Sequence, residues 1–107
     1  MQGDSKGKLI KIEINEIDHI EGMRNYVAIH CGDKKILSLM NMKDLDTYLP
    51  KQKFIRVHES FIIPISNIAS VDGNCLLLKR NIKTQIIIGS TYKPAFLEIM
   101  KSKIIHS

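Results

Sequence analysis

The sequence is short of several features that would point to a function directly. It has two cysteines in 107 residues, Cys31 and Cys75, far apart and outside any CxxC spacing. That excludes a cysteine-rich zinc module or a disulfide-stapled scaffold. A single disulfide and two free thiols both fit the spacing, and a chain that opens without a secretion signal favours free thiols. No apolar run approaches the roughly 20 residues of a membrane helix. The opening residues, Met1 to Lys8, contain no apolar core of a signal peptide and read as a linker, which gives a default cytoplasmic location. His19, His30, His58 and His106 have no His or Cys partner at metal-ligand spacing, so no metal or cofactor is expected. There is no phosphate-binding glycine loop, no dinucleotide fingerprint and no carboxylate pair in a glycine-rich setting. Ser60 follows His58 by two residues and Asp72 lies beyond, but a catalytic triad is a spatial arrangement that such spacing does not define. Catalytic residues are therefore not assigned, and the chain does not read as an enzyme.

Acid is scarce in one half. Residues 1–50 carry seven Lys/Arg and eight Asp/Glu, whereas residues 51–107 carry nine Lys/Arg and three Asp/Glu. Lys79, Arg80, Lys83 and Lys93 fall between Gly73 and Leu97 with no acid among them. Such a basic half is suited to a polyanionic partner, although many small basic domains bind none. The length suits one domain. The 44% hydrophobic and 25% charged residues are ordinary for a globular chain.

Turn residues recur every 8–12 positions, a rhythm of small β domains. Leu9 to Ile14 alternates apolar and charged residues and reads as a half-buried strand. Ile17 to Glu21 is a second short segment, ended by Gly22. Asn25 to His30 and Ile36 to Leu39 form a hairpin about Gly32-Asp33. Asn41 caps a helix of about two turns, with Met42, Leu45 and Leu49 on one face and Pro50 as its stop. Phe54 to His58 alternates as a strand, with Ile55 and Val57 opposite Phe54, Arg56 and His58. Pro64 demotes Phe61 to Ile63 to an edge or irregular segment. Ile68 to Val71 leads into an Asp72-Gly73-Asn74 turn. Cys75 to Lys79 and Ile82 to Ile88 pair about Arg80-Asn81. Ser90 or Thr91 caps a last helix, with Pro94 in its first turn and Tyr92, Phe96, Ile99 and Met100 on one face. Strands do not alternate regularly with helices, so a doubly wound parallel sheet is not expected.

Phe54-Ile55-Arg56-Val57-His58-Glu59-Ser60-Phe61-Ile62-Ile63 resembles the signature of the LytTR family of DNA-binding domains. Ile17 to Gly22 followed by Asn25-Tyr26-Val27 is similar to the family's opening segment. Met42 to Pro50 is similar to its short helix. Asn67-Ile68 and Ile88-Gly89-Ser90-Thr91-Tyr92 occupy the places of its later motifs. The resemblance covers roughly residues 9–100. It implies a mainly β fold, an elongated set of small antiparallel sheets with one short helix between strands and a C-terminal helix. The implied division is a linker over 1–8, the domain over 9–103 and a tail over 104–107.

The resemblance also implies sequence-specific binding of double-stranded promoter DNA, with loops entering successive major grooves at repeated half-sites. The expected setting is a bacterial two-component response regulator or one-component transcriptional regulator. An N-terminal receiver or sensor domain would act as partner, with a dimer on DNA and no membrane contact by this segment. The alternative is a protein-interaction or dimerisation module that keeps the fold and has weak or lost DNA binding.

The DNA-binding candidates are Arg24, Asn25, His58, Glu59, Ser60, Ser90, Thr91 and Lys93. Asn25 is placed to bridge adenine N6 and N7, or else to satisfy its own turn. Arg24 meets a phosphate or a guanine, or is simply solvated. Arg56 is better read as a structural hydrogen-bonder holding neighbouring loops, while the role of His58 stays open. Ser60 donates to a phosphate or serves a local turn. Thr91 and Lys93 are phosphate candidates, as are Lys79 and Lys83 on charge alone. Two positions depart from the family pattern. Glu59 stands where Lys, Arg or Asn is usual, and a carboxylate there repels phosphate or accepts from cytosine N4. Ser90 stands where Arg is typical, which removes one bidentate base contact.

Overall fold

A computed structural model describes residues 12–103 of the chain. β-branched residues on both sides of Gly22, among them Ile20, Val27, Ile29 and Ile36, favour a three-stranded meander of β1 (His19–Gly22), β2 (Val27–Cys31) and β3 (Lys34–Ser38). The β2–β3 register runs to Cys31 opposite Lys34, which leaves the two-residue turn Gly32-Asp33. Gly32 has φ +61°, a conformation that a side chain would strain.

Asn41 then caps α1 (Met42–Tyr48), its Oδ1 accepting the Asp44 backbone N–H at 2.8 Å. Leu45 is buried, with Met42 and Leu49 packed beside it. Next come β4 (Phe54–His58) and β5 (Phe61–Pro64), then β6 (Ile68–Asp72), β7 (Cys75–Leu78), β8 (Gln85–Ile87) and α2 (Lys93–Met100). One sheet has the order β3-β2-β1-β5-β4, the other β6-β7-β8, and every pairing is antiparallel. The extents of 48 × 25 × 22 Å make the molecule elongated.

The β4–β5 part of the larger sheet is buried on both faces because these strands are apolar at consecutive positions. Phe54 and Ile62 join Ile17, Ile20, Val27, Ile29 and Leu45 in a core beneath α1. Ile55, Val57 and Ile63 face the other way, into a core with Leu76, Leu78, Ile86, Phe96 and Met100. Each fully buried aliphatic side chain contributes about 1.5–3 kcal/mol.

Four expectations are corrected. Leu9 to Lys11 lie outside the described residues. The rest of the first proposed strand is instead coil followed by a 3₁₀ turn, Ile14–Glu16. Ile12 and Ile14 still pack on the α1-side core, so the apolar spacing serves burial without a strand. β5 is interior, not an edge. Its pairing with β1 is confined to Ile20–Ile62 and Glu21–Phe61, so Pro64 lies beyond it and its missing N–H costs no ladder bond there. The β4–β5 register shifts between Arg56 and His58, which breaks the alternation that would put both on one face. Neither Ser90 nor Thr91 caps α2. The capping position is Tyr92, without a side-chain bond. Both cysteines are free, Cys31 buried and Cys75 half-buried, and burial pushes the Cys31 thiol pKa up, reinforced by Glu16 and Asp18.

Candidate nucleic-acid interface

Antiparallel strands gather alternate connections at each end of the molecule. One end collects the β1–β2 loop, the β4–β5 turn and the β8–α2 loop. In the first, the Met23 N–H donates to the Tyr26 carbonyl at 2.8 Å, closing a loop with Arg24 and Asn25 exposed on it. The Gly22 N–H donates to the Ser60 carbonyl at 2.7 Å, fastening this loop to the β4–β5 turn. A Cβ on Gly22 would stand 2.6 Å from Met42 Cγ, so any side chain there would have to displace the Met42 side chain of α1.

The β4–β5 turn, Glu59-Ser60, is fixed from within. The Ser60 N–H donates to His58 Nδ1 at 3.0 Å, which makes Nδ1 the acceptor and assigns the ring proton of the neutral imidazole to Nε2. Arg56 donates from Nε to the His58 carbonyl at 3.3 Å and from an Nη to the Glu59 carbonyl at 2.8 Å. Its guanidinium also lies 5.3 Å from the centre of the Tyr92 ring, a cation–π distance. Arg56 thus ties the turn to the β8–α2 loop, in agreement with its reading as a holder of loops.

The Gly89 N–H donates to the Val57 carbonyl at 2.7 Å, and the Gly89 carbonyl accepts from the Tyr92 and Lys93 N–H groups. His58, Glu59, Gly89, Ser90, Thr91 and Tyr92 line a cleft of about 260 Å³ between the two segments. Glu59, Ser90 and Thr91 are exposed, whereas His58 and Ser60 are half-buried. Seven of the eight candidates therefore share this end, six on its loops and turn and His58 as the last residue of β4. The eighth, Lys93, begins α2, and its Nζ donates to Asn74 Oδ1 of the β6–β7 turn at 2.6 Å. Sequence reasoning missed the positioning roles of Gly22, Gly89, Tyr92 and Asn74. A glycine at the end of a strand was the available signal for the first two.

Lys79 and Lys83 sit in the β7–β8 connection at the opposite end, where the Lys79 N–H donates to the Asn67 carbonyl. Arg80 there latches the two sheets together. It donates to the carbonyls of Asn15 and Ile17, and its Nε lies 3.5 Å from both Asn67 Oδ1 and the buried Asp18 carboxylate.

Between the ends, His19 and His30 stack across β1 and β2 with ring centres 4.1 Å apart, and Glu21 pairs with His30 at 3.2 Å. Burial, with His30 as a lesser cause, lowers the His19 pKa to about 4. Among the described residues no cluster of three or more His, Cys, Asp or Glu is arranged to hold a metal ion. No described helix is long and apolar enough to cross a membrane.

The sequence and the fold both have relatives. A LytTr DNA-binding domain of a Bacillus cereus protein, described as a methyl-accepting/DNA response regulator, superposes with a TM-score of 0.76 at 18% identity. That match covers 92% of this chain and 93% of the other. The heme-containing CO-sensing transcriptional regulator RcoM 2 of Paraburkholderia xenovorans strain LB400 is 30% identical over 60 residues, which is 56% of this chain. The aligned part is 22% of that regulator's length. A family model described as the LytTr DNA-binding domain matches residues 7–101. With that match spanning nearly the whole chain, the protein belongs to the LytTR family of DNA-binding domains.

Proposed function

We propose that this chain binds double-stranded promoter DNA as the output domain of a bacterial response regulator or one-component transcriptional regulator. The observation that carries this reading is the joining of two hairpin connections and the β8–α2 loop into one end of the molecule. The bonds are those of Gly22 to Ser60, Arg56 to the turn, and Gly89 to Val57. Loops held this way present side chains to a groove at little ordering cost.

Arg24 serves as a phosphate or guanine contact and Asn25 as an adenine contact. Ser60, Ser90 and Thr91 offer hydroxyls to phosphate oxygens, His58 offers its Nε2–H, and Lys93 adds its ammonium from the start of α2, where it is bonded to Asn74. No reaction is catalysed. In a longer parent, a receiver or sensor domain preceding this segment would control it. Dimerisation would place two copies on repeated half-sites, in the cytoplasm where such promoters lie. The two relatives, one from a response regulator and one a transcriptional regulator, support this setting.

The test is anisotropy titration of labelled duplexes at several salt concentrations. The affinity should fall linearly with log salt as condensed cations are released from the DNA. Folded protein that binds no duplex at about 50 mM salt overturns the reading. The second reading, an interaction module with lost DNA binding, is favoured by Glu59 and Ser90 standing where basic or amide residues are usual. A chemical-shift map decides between them: DNA should perturb the loops of Asn25, Glu59 and Ser90 together, whereas the module predicts no change there.

A further inference from the structure

The basic half of the chain has three acids, Glu59, Asp72 and Glu98. Glu98 faces Lys101 at 3.4 Å on the surface of α2. Glu59 is different. It is exposed at the apex of the most tightly held turn at the candidate interface, and its carboxylate makes no hydrogen bond or ion pair among the described residues. Its own backbone is fixed by Arg56, and the backbone on either side by the His58 and Ser60 bonds. The guanidinium of Arg56, the nearest cation bonded to this turn, is engaged by two carbonyls and the Tyr92 ring. The carboxylate is therefore aimed outward on a rigid support, without a neutralising partner from the protein.

A carboxylate so placed repels phosphates and accepts hydrogen bonds only. Among the base edges of the major groove, guanine offers acceptors at O6 and N7, and thymine offers O4. Adenine offers a donor at N6 beside the acceptor N7, which would repel a second carboxylate oxygen. Cytosine offers the N4 donor with no acceptor of its own beside it. We infer that Glu59 is a specificity-determining residue that selects a cytosine at the base pair beneath the β4–β5 turn, chiefly by rejecting the other three bases. This rests on the reading that these loops face DNA. The carboxylate lowers general attraction to the duplex and concentrates affinity on sites with cytosine at that position.

The experiment is selection from a randomised duplex pool with the wild-type chain, Glu59→Gln and Glu98→Gln. The last removes the same charge away from the loops. The wild type and Glu98→Gln should enrich one fixed cytosine. Glu59→Gln should lose that preference, by about tenfold in the ratio of cytosine to other bases, and keep the rest of its motif. It should also bind unrelated duplexes more tightly than Glu98→Gln does. Enrichment of the same cytosine by Glu59→Gln overturns the inference and leaves DNA binding standing, as does a wild-type motif without a fixed cytosine. Failure of all three folded proteins to enrich any duplex overturns the reading of the interface itself.

Discussion

His19 shows how one side chain can set a pH limit on the fold. It is 5% exposed, its Nδ1 has no hydrogen-bond partner among the described residues, and His30 stacks on it. The carboxylates of Glu21 and Asp18 favour its charged form, but burial and His30 outweigh them and the pKa falls to about 4. Between that value and the ordinary 6.5 the unfolded chain holds the proton and the folded chain does not. Stability from this residue is therefore complete above about pH 6.5 and declines as the pH falls toward 4. The loss reaches about 2 kcal/mol by pH 5. Denaturant unfolding of the wild type should lose stability between pH 7 and pH 5, and His19→Gln should lose markedly less. Parallel losses in the two proteins would show that His19 is not the titrating group. No feature of the sequence marked this residue, because its environment depends on pairing with His30, eleven positions away, and on Phe61 of a different hairpin.

At the scale of elements, what was legible followed from local chemistry. Asn41 at a cap and Pro50 past the end delimit α1, as their backbone preferences require. The cap is exposed, and Asn41→Ala should cost about 1 kcal/mol in denaturant unfolding. An unchanged midpoint would mean that tertiary packing of Met42, Leu45 and Leu49 holds the helix without it. What was not legible depended on neighbours distant in sequence. Pro64 argued locally for an edge strand, yet β1 stops short of it and leaves β5 interior. Of the first proposed strand, Ile12 and Ile14 pack on the core, as a half-buried segment requires. Three residues per 3₁₀ turn bring Ile14 and Ile17 to one side as well as a strand would have done for alternate residues. The candidate site was legible as a set of loop residues from the resemblance. Arg56 was legible as a holder of loops, whereas the bonds of Gly22 to Ser60 and of Gly89 to Val57 join segments more than 30 residues apart, so a strand-end glycine marks the position and not the partner.

Over the whole molecule, the two ends are held by different means. The candidate interface is fastened by backbone bonds and Arg56, and the far end by Arg80. Arg80 supplies the one cation within 4 Å of the Asp18 carboxylate among the described residues, and Asp18 is 3% exposed. Removing its side chain leaves the buried Asp18 carboxylate without its cation and the carbonyls of Asn15 and Ile17 without their donor, while Asn67 Oδ1 keeps the residue-80 backbone N–H. Because Arg80 itself is 43% exposed, the cost is less than for a fully buried pair. Arg80→Ala should destabilise the fold by about 1–3 kcal/mol, and adding Asp18→Asn should restore part of that loss. A double variant no better than the single one would assign the effect to the carbonyls of Asn15 and Ile17 instead. DNA affinity at permissive temperature should change little, since the latch lies at the end opposite the three loops.

The β4–β5 hairpin is a wall common to both cores, with Phe54 and Ile62 on one side and Ile55, Val57 and Ile63 on the other. Neither core can open without disturbing it, which makes the hairpin the least able to fluctuate independently. The turn bearing Glu59 and Ser60 grows from this wall. A force applied at that turn is therefore delivered to both halves of the molecule together, so a regulatory domain touching either half would meet a mechanically continuous body.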